Sequence, residues 1–115
     1  IVSTVLDAAT ASSARARAFT AAHRARRGNA PAPLYAAEAY DAVHLPARCA
    51  EGLGRPRIGR GDLLPTVRTT TYQGVSKTYA FDTANGTFTG EGLSFYEVAS
   101  GRFRLLGDRW TLRPA

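Results

Sequence analysis

The sequence predicts an α/β fold: helices packed on a small sheet that ends in an antiparallel meander. Three observations carry this expectation. The first half is rich in alanine, with apolar residues at helical spacing. After Thr69-Thr70-Thr71 the period changes from 3.6 to 2. Asn85-Gly86 and Ser100-Gly101 then supply tight turns between alternating segments. A chain of 115 residues and 12.3 kDa has room for one core, and folding should remove roughly two-thirds of its extended surface from water. There is no internal repeat or low-complexity linker, so residues 1–115 read as a single domain. Hydrophobic residues at 44% and charged residues at 21% exclude wholesale disorder. No uncharged apolar run approaches the ~20 residues of a membrane-spanning helix.

Residues 1–9 are short and apolar, a strand remnant or the start of a loop. Ser12 or Ser13 is the N-cap of a helix that reaches Arg27 and stops at Gly28-Asn29. Its alanines 14, 18, 21, 22 and 25 form one small-residue face, Phe19 and His23 form a contact ridge at i and i+4, and arginines fill the remaining arc. Pro31 and Pro33 make a connector. A second helix runs from Leu34 to Glu51. Ala36, Ala39, Tyr40, Val43, Ala47 and Ala50 define its expected buried stripe, with Leu34, Leu45 and Cys49 opposite, so both faces should be covered. Pro46 should kink it near Ala42. After the glycine-rich, basic loop 52–61, Asp62 is expected to cap a short helix from Leu63 to Arg68. Strands are expected over Lys77–Asp82, Leu93–Val98 and Phe103–Leu106, the first two separated by the 82–86 turn.

The inventory for catalysis is poor. His23 and His44 lie on different helices, with no grouping of carboxylate and nucleophile that reads as a triad. His44 and Cys49 are nearly opposite on the helix and fail as a metal pair, and neither a metal nor a cofactor is implied. The glycines around Arg55, Arg57 and Arg60 lack the Gly-Lys-Ser/Thr of a phosphate loop and follow a helix instead of a strand. Asp62 in Arg60-Gly61-Asp62 has a sufficient role as a cap, and Asn85-Gly86-Thr87 is explained by its turn. Lone Cys49 makes no internal disulfide. Of the five tyrosines, Tyr35 and Tyr40, with the neighbouring Asp41, are the candidate ligand-binding residues. Each tyrosine carries an apolar body and a polar tip, which suits core edges and ligand clefts alike.

The net charge of +6 comes from 14 Arg and one Lys against nine acids. The Arg preference fits a GC-rich genome. A basic interaction domain that binds an acidic partner or nucleic acid through the first helix and the Arg55–Arg60 loop is the alternative function class. The dispersal of arginine among helix, loop and tail speaks against nucleic acid.

The series Phe19, His23, Gly28, Pro31 and Tyr35-Ala36-Ala37-Glu38-Ala39-Tyr40-Asp41-Ala42-Val43 resembles the late part of type I periplasmic solute-binding proteins. These form the leucine/isoleucine/valine-binding family that delivers solutes to ABC transporters. The likeness continues through Tyr72-Gln73-Gly74-Val75-Ser76-Lys77, Phe81-Asp82 to Gly86, and Tyr96-Glu97-Val98-Ala99-Ser100-Gly101-Arg102-Phe103. It covers residues 14–106. Pro46 and Lys77 depart from the family's usual aliphatic residue and glycine. The resemblance implies the C-terminal third of a two-lobed fold that closes on a small solute such as an amino acid, without catalysis. It further implies an extracytoplasmic setting, although no signal peptide is visible in this chain, and a membrane transporter or a fused signalling module as partner. The initial Ile1 suggests a processed product or a fragment. A fragment of this kind would expose an apolar face, which a homodimer would cover.

Overall fold

The computed structural model describes residues 1–4, 13–90 and 92–112. Among them are three helices and two small antiparallel sheets, a mixed α/β fold as expected. The chain divides into two compact units, Ile1–Tyr35 with Gly92–Ala115, and Ala36–Glu91.

In the first unit, β1 (Val2–Thr4), β4 (Ser94–Ala99) and β5 (Arg102–Gly107) form one sheet in the order β1-β4-β5. Val2 pairs with Tyr96, and Val98 pairs with Phe103. Ser100 and Gly101 both adopt positive φ, 51° and 73°. That matches the right-handed twist of the strands they join and closes the β4–β5 hairpin in two residues. Alternation along β4 buries Ser94 and Tyr96, and the Tyr96 ring meets Phe103 edge-on at 6.3 Å.

The helix α1 (Ala14–Arg26) begins at Ser13, whose hydroxyl accepts from the Ala16 N–H at 3.1 Å. This satisfies one of the orphan donors of the first turn. The alternative cap, Ser12, lies outside the described residues. Gly28 and Asn29 end the helix in the left-handed region, with φ of 58° and 69°. Phe19 and His23 meet at 6.2 Å, as their spacing predicts, and His23 Nδ1 lies 3.2 Å from the Ala30 carbonyl.

The second unit is built on α2 (Ala36–Leu53), α3 (Leu63–Thr69) and the hairpin β2 (Tyr72–Gln73) with β3 (Thr78–Tyr79). The buried stripe of α2 is Ala37, Asp41, Leu45 and Cys49, diametrically opposite the expected one. Ala39, Tyr40, Val43 and Ala47 are exposed, so a single face is covered. Apolar counting failed because the inward face contains a carboxylate, which hydrogen bonds make tolerable. Helical structure also continues unbroken through Pro46.

Asp62 lies at the α3 boundary with helical φ and ψ and makes no side-chain cap. Its carboxylate turns back on the loop instead, accepting from the Gly59 N–H at 2.8 Å and from Arg55 at 3.4 Å. Strand pairing differs from a continuous meander as well. The 77–82 segment pairs with β2 and, through a Phe81–Phe88 bridge, with its own return, while β4 takes β1 as its neighbour. No sequence signal marked the two-residue β2. The expected turn at 82–86 forms: Asp82 Oδ1 accepts from Ala84 and Asn85, and the Gly86 N–H bonds the Asp82 carbonyl at 2.8 Å.

Candidate functional site

The most densely bonded polar centre among the described residues is Asp41. Its position on α2, at i+4 from Ala37 and i−4 from Leu45, points it inward, where it is 1% exposed. Opposite it, the β2–β3 hairpin turns at residues 74–77, closed by the Gly74 N–H on the Lys77 carbonyl at 2.9 Å. The turn aims its free amides at the carboxylate. Val75 N–H donates to Oδ1 at 2.8 Å, and Ser76 donates to Oδ2 from both its N–H and its hydroxyl at 3.3 Å. The Tyr79 hydroxyl donates to Oδ2 at 3.0 Å. These bonds replace the water that a buried anion would otherwise lack.

Position 74 must be glycine for this approach. A Cβ there would sit 2.5 Å from Asp41 Oδ2. Lys77 extends the arrangement, pairing at 3.5 Å with Glu38, one turn before Asp41, in a largely buried ion pair. Burial, together with the Asp41 and Glu38 carboxylates, pushes the Tyr79 hydroxyl up to about 12, although its contact with Ser76 acts in the opposite direction. Tyr79 is therefore a neutral donor at physiological pH. The cluster holds the hairpin on the helix.

On the outer side of α2, Tyr40 is 45% exposed and stacks on His44 with ring centroids 4.0 Å apart. His44, Ala47, Arg48, Glu51 and Tyr72 line a shallow, polar cleft of about 150 Å³. This is below the ~300 Å³ at which typical small-molecule pockets begin. Arg48 and Glu51 already face each other across 3.7 Å. Tyr35 is 58% exposed and holds a left-handed φ of 69°, which is costly for a side chain of its size. Of the three residues singled out from the sequence, then, two present aromatic surface to solvent and the third is engaged by the protein itself. Ser76, Tyr79 and Gly74 were missed as partners of Asp41. They are 33 to 38 positions away, beyond the reach of any local pattern.

No protein-family model and no curated protein matches the sequence. Among solved structures, the chain is similar to an ABC transporter substrate-binding protein from Desulfitobacterium hafniense, determined in complex with Leu. The TM-score is 0.75 and the identity 29%, over 91% of this chain and 30% of that one. The fold is that of a portion of a substrate-binding protein. The chain spans under a third of the length of that relative, in agreement with the partial coverage expected from the ordered words between Phe19 and Phe103. Among the described residues, no helix is long and apolar enough to cross a membrane.

Proposed function

We propose that this chain is part of a two-lobed, non-catalytic module that binds a small amino-acid-like solute by domain closure, in ABC transport or ligand sensing outside the cytoplasm. The observation that carries the reading is the similarity in fold and sequence to a substrate-binding protein that holds Leu. In this reading Tyr35 and Tyr40 offer aromatic surface to the solute. Asp41 acts behind them, its carboxylate anchoring the helix that carries Tyr40 to the 74–79 hairpin. Closure on a solute shifts a population from open to closed. The partners are a membrane transporter or a fused signalling module. An apolar face left exposed on the chain is covered by a second copy.

A thermal-shift series of the 115-residue chain with leucine and other amino acids, at two salt concentrations, tests this. A ligand at a hundred times its Kd stabilises by about 2.7 kcal/mol. A salt-insensitive rise in Tm that Tyr40→Ala abolishes supports a solute contact within these residues. A clean melt that no amino acid moves removes Tyr35 and Tyr40 from the site and leaves the chain as scaffold.

A further inference from the structure

Arg68, in the last turn of α3, is half-buried, and its Nε is a buried donor with no acceptor among the described residues. Buried polar atoms are nearly always paired, so this one needs an explanation. What stands beside it is the 82–86 turn. A Cβ on Gly86 would lie 4.0 Å from Arg68 Nε and would meet nothing closer.

The turn carries one of the chain's two asparagines, directly before that glycine. Asn85 is exposed, and its Oδ1 accepts the Thr87 N–H at 2.8 Å. This bond spans the Gly86 peptide and holds the Asn85 side chain back along it. It also orients the amide, because an N–H donates to the oxygen and Nδ2 is then turned away. The Thr87 donor polarises the Cγ–Oδ1 bond and is placed to hold negative charge on that oxygen. Gly86 has a φ of 75° and no side chain to obstruct its nitrogen. One bond opposes attack by that nitrogen: the Gly86 N–H donates to the Asp82 carbonyl at 2.8 Å. It lies in a turn of exposed residues, where local opening costs little free energy.

We propose that Asn85–Gly86 is a self-modifying site, where the side-chain amide is lost as ammonia and the carboxylate formed becomes the acceptor for Arg68 Nε. The Gly86 nitrogen gives up its proton and bonds to Asn85 Cγ. The Cγ–Nδ2 bond breaks, and Nδ2 leaves with that proton as ammonia. Water then opens the succinimide ring at either carbonyl, giving aspartate or its β-linked isomer. Nothing is oxidised or reduced, and water is the one co-reactant. The Arg68 guanidinium favours release of the proton from the nitrogen beside it, and afterwards pairs with the new anion. The aspartate form retains the turn. The β-linked form lengthens the backbone between residues 85 and 86, which disrupts the Gly86–Asp82 bond and the Phe81–Phe88 bridge next to it. Asn29, the other asparagine, precedes Ala30, whose methyl group obstructs the same attack.

The test follows the 115-residue chain by peptide mapping and mass spectrometry at neutral and mildly alkaline pH, folded and in urea. Asn85 should convert in the folded chain, faster at the higher pH, while Asn29 stays intact. Arg68→Gln should slow the conversion about threefold. Asn85→Asp supplies the product directly, and in urea unfolding its combination with Arg68→Gln should cost more than the two substitutions taken singly. If circular dichroism shows that Arg68→Gln does not fold, the Arg68 Nε–H resonance gives the same reading. That resonance should shift and gain protection from exchange in Asn85→Asp. An Asn85 that converts in urea but stays intact in the folded chain overturns the proposal, since the Asp82 bond would then block the attack. Equal rates with and without Arg68 also overturn it, because the Asn-Gly sequence alone would account for the reaction.

Discussion

Asp41 shows how one residue's type and its position are legible at different levels. The sequence marks it as part of a familiar run, but whether its carboxylate faces solute or protein depends on the hairpin that reaches it. With four donors on two oxygens, truncation leaves several polar groups without a partner. Each such group costs about 1–3 kcal/mol. Asp41→Ala should therefore lower unfolding stability by roughly 3–5 kcal/mol, and Asp41→Asn by about half that, as read by urea denaturation. A loss under about 1 kcal/mol for the alanine variant would mean that the anchor is not needed. Tyr79 supplies a pH signature. Its hydroxyl lies at about 12 in the folded chain against an ordinary 10.0, so the unfolded chain ionises first. The stability linked to Tyr79 is complete below about pH 10 and is lost as the pH rises towards about 12. Tyr79→Phe should lose about 1 kcal/mol at neutral pH but show a shallower alkaline decline; parallel declines would dissociate Tyr79 from the effect.

The second helix is where period alone misleads at the scale of an element. Its alanines, Tyr40 and Val43 make the more apolar stripe, yet Val43 is 68% exposed and the opposite stripe is buried. Close approach of the 74–77 turn, permitted by Gly74, decides the orientation. The first helix was read more completely, because its cap, its Phe19–His23 contact and its left-handed stop are all local. Pro46 sits inside α2 without ending it. It removes a backbone donor and crowds the carbonyl four residues earlier. Pro46→Ala should raise stability by about 1–3 kcal/mol, measured by thermal or urea unfolding. An unchanged midpoint would mean that the surrounding contacts of the ring offset the whole helix penalty.

For the whole molecule, the described apolar core is small. It comprises Ala16, Ala32, Ala37, Leu45, Cys49 and Tyr96, whereas Val43, Leu64, Val98, Phe103 and other large apolar side chains are exposed. Apolar surface left open on an isolated chain favours association. Sedimentation of the 115-residue chain should thus show mass rising with concentration, and Val43→Asp should shift it towards monomer; a concentration-independent monomer would contradict this. By itself the sequence determined the α/β class, the capped first helix, the two glycine turns and the ordered words that led to a substrate-binding fold. Each of these is written in residues within a few positions of one another, as period, cap or turn chemistry. The tertiary structure decided which face of α2 is covered, that β4 pairs with β1, and that Asp41 bonds the 75–79 segment. Those outcomes join residues more than thirty positions apart. They are settled by which buried polar groups find partners, a sum over the folded chain that no local window contains.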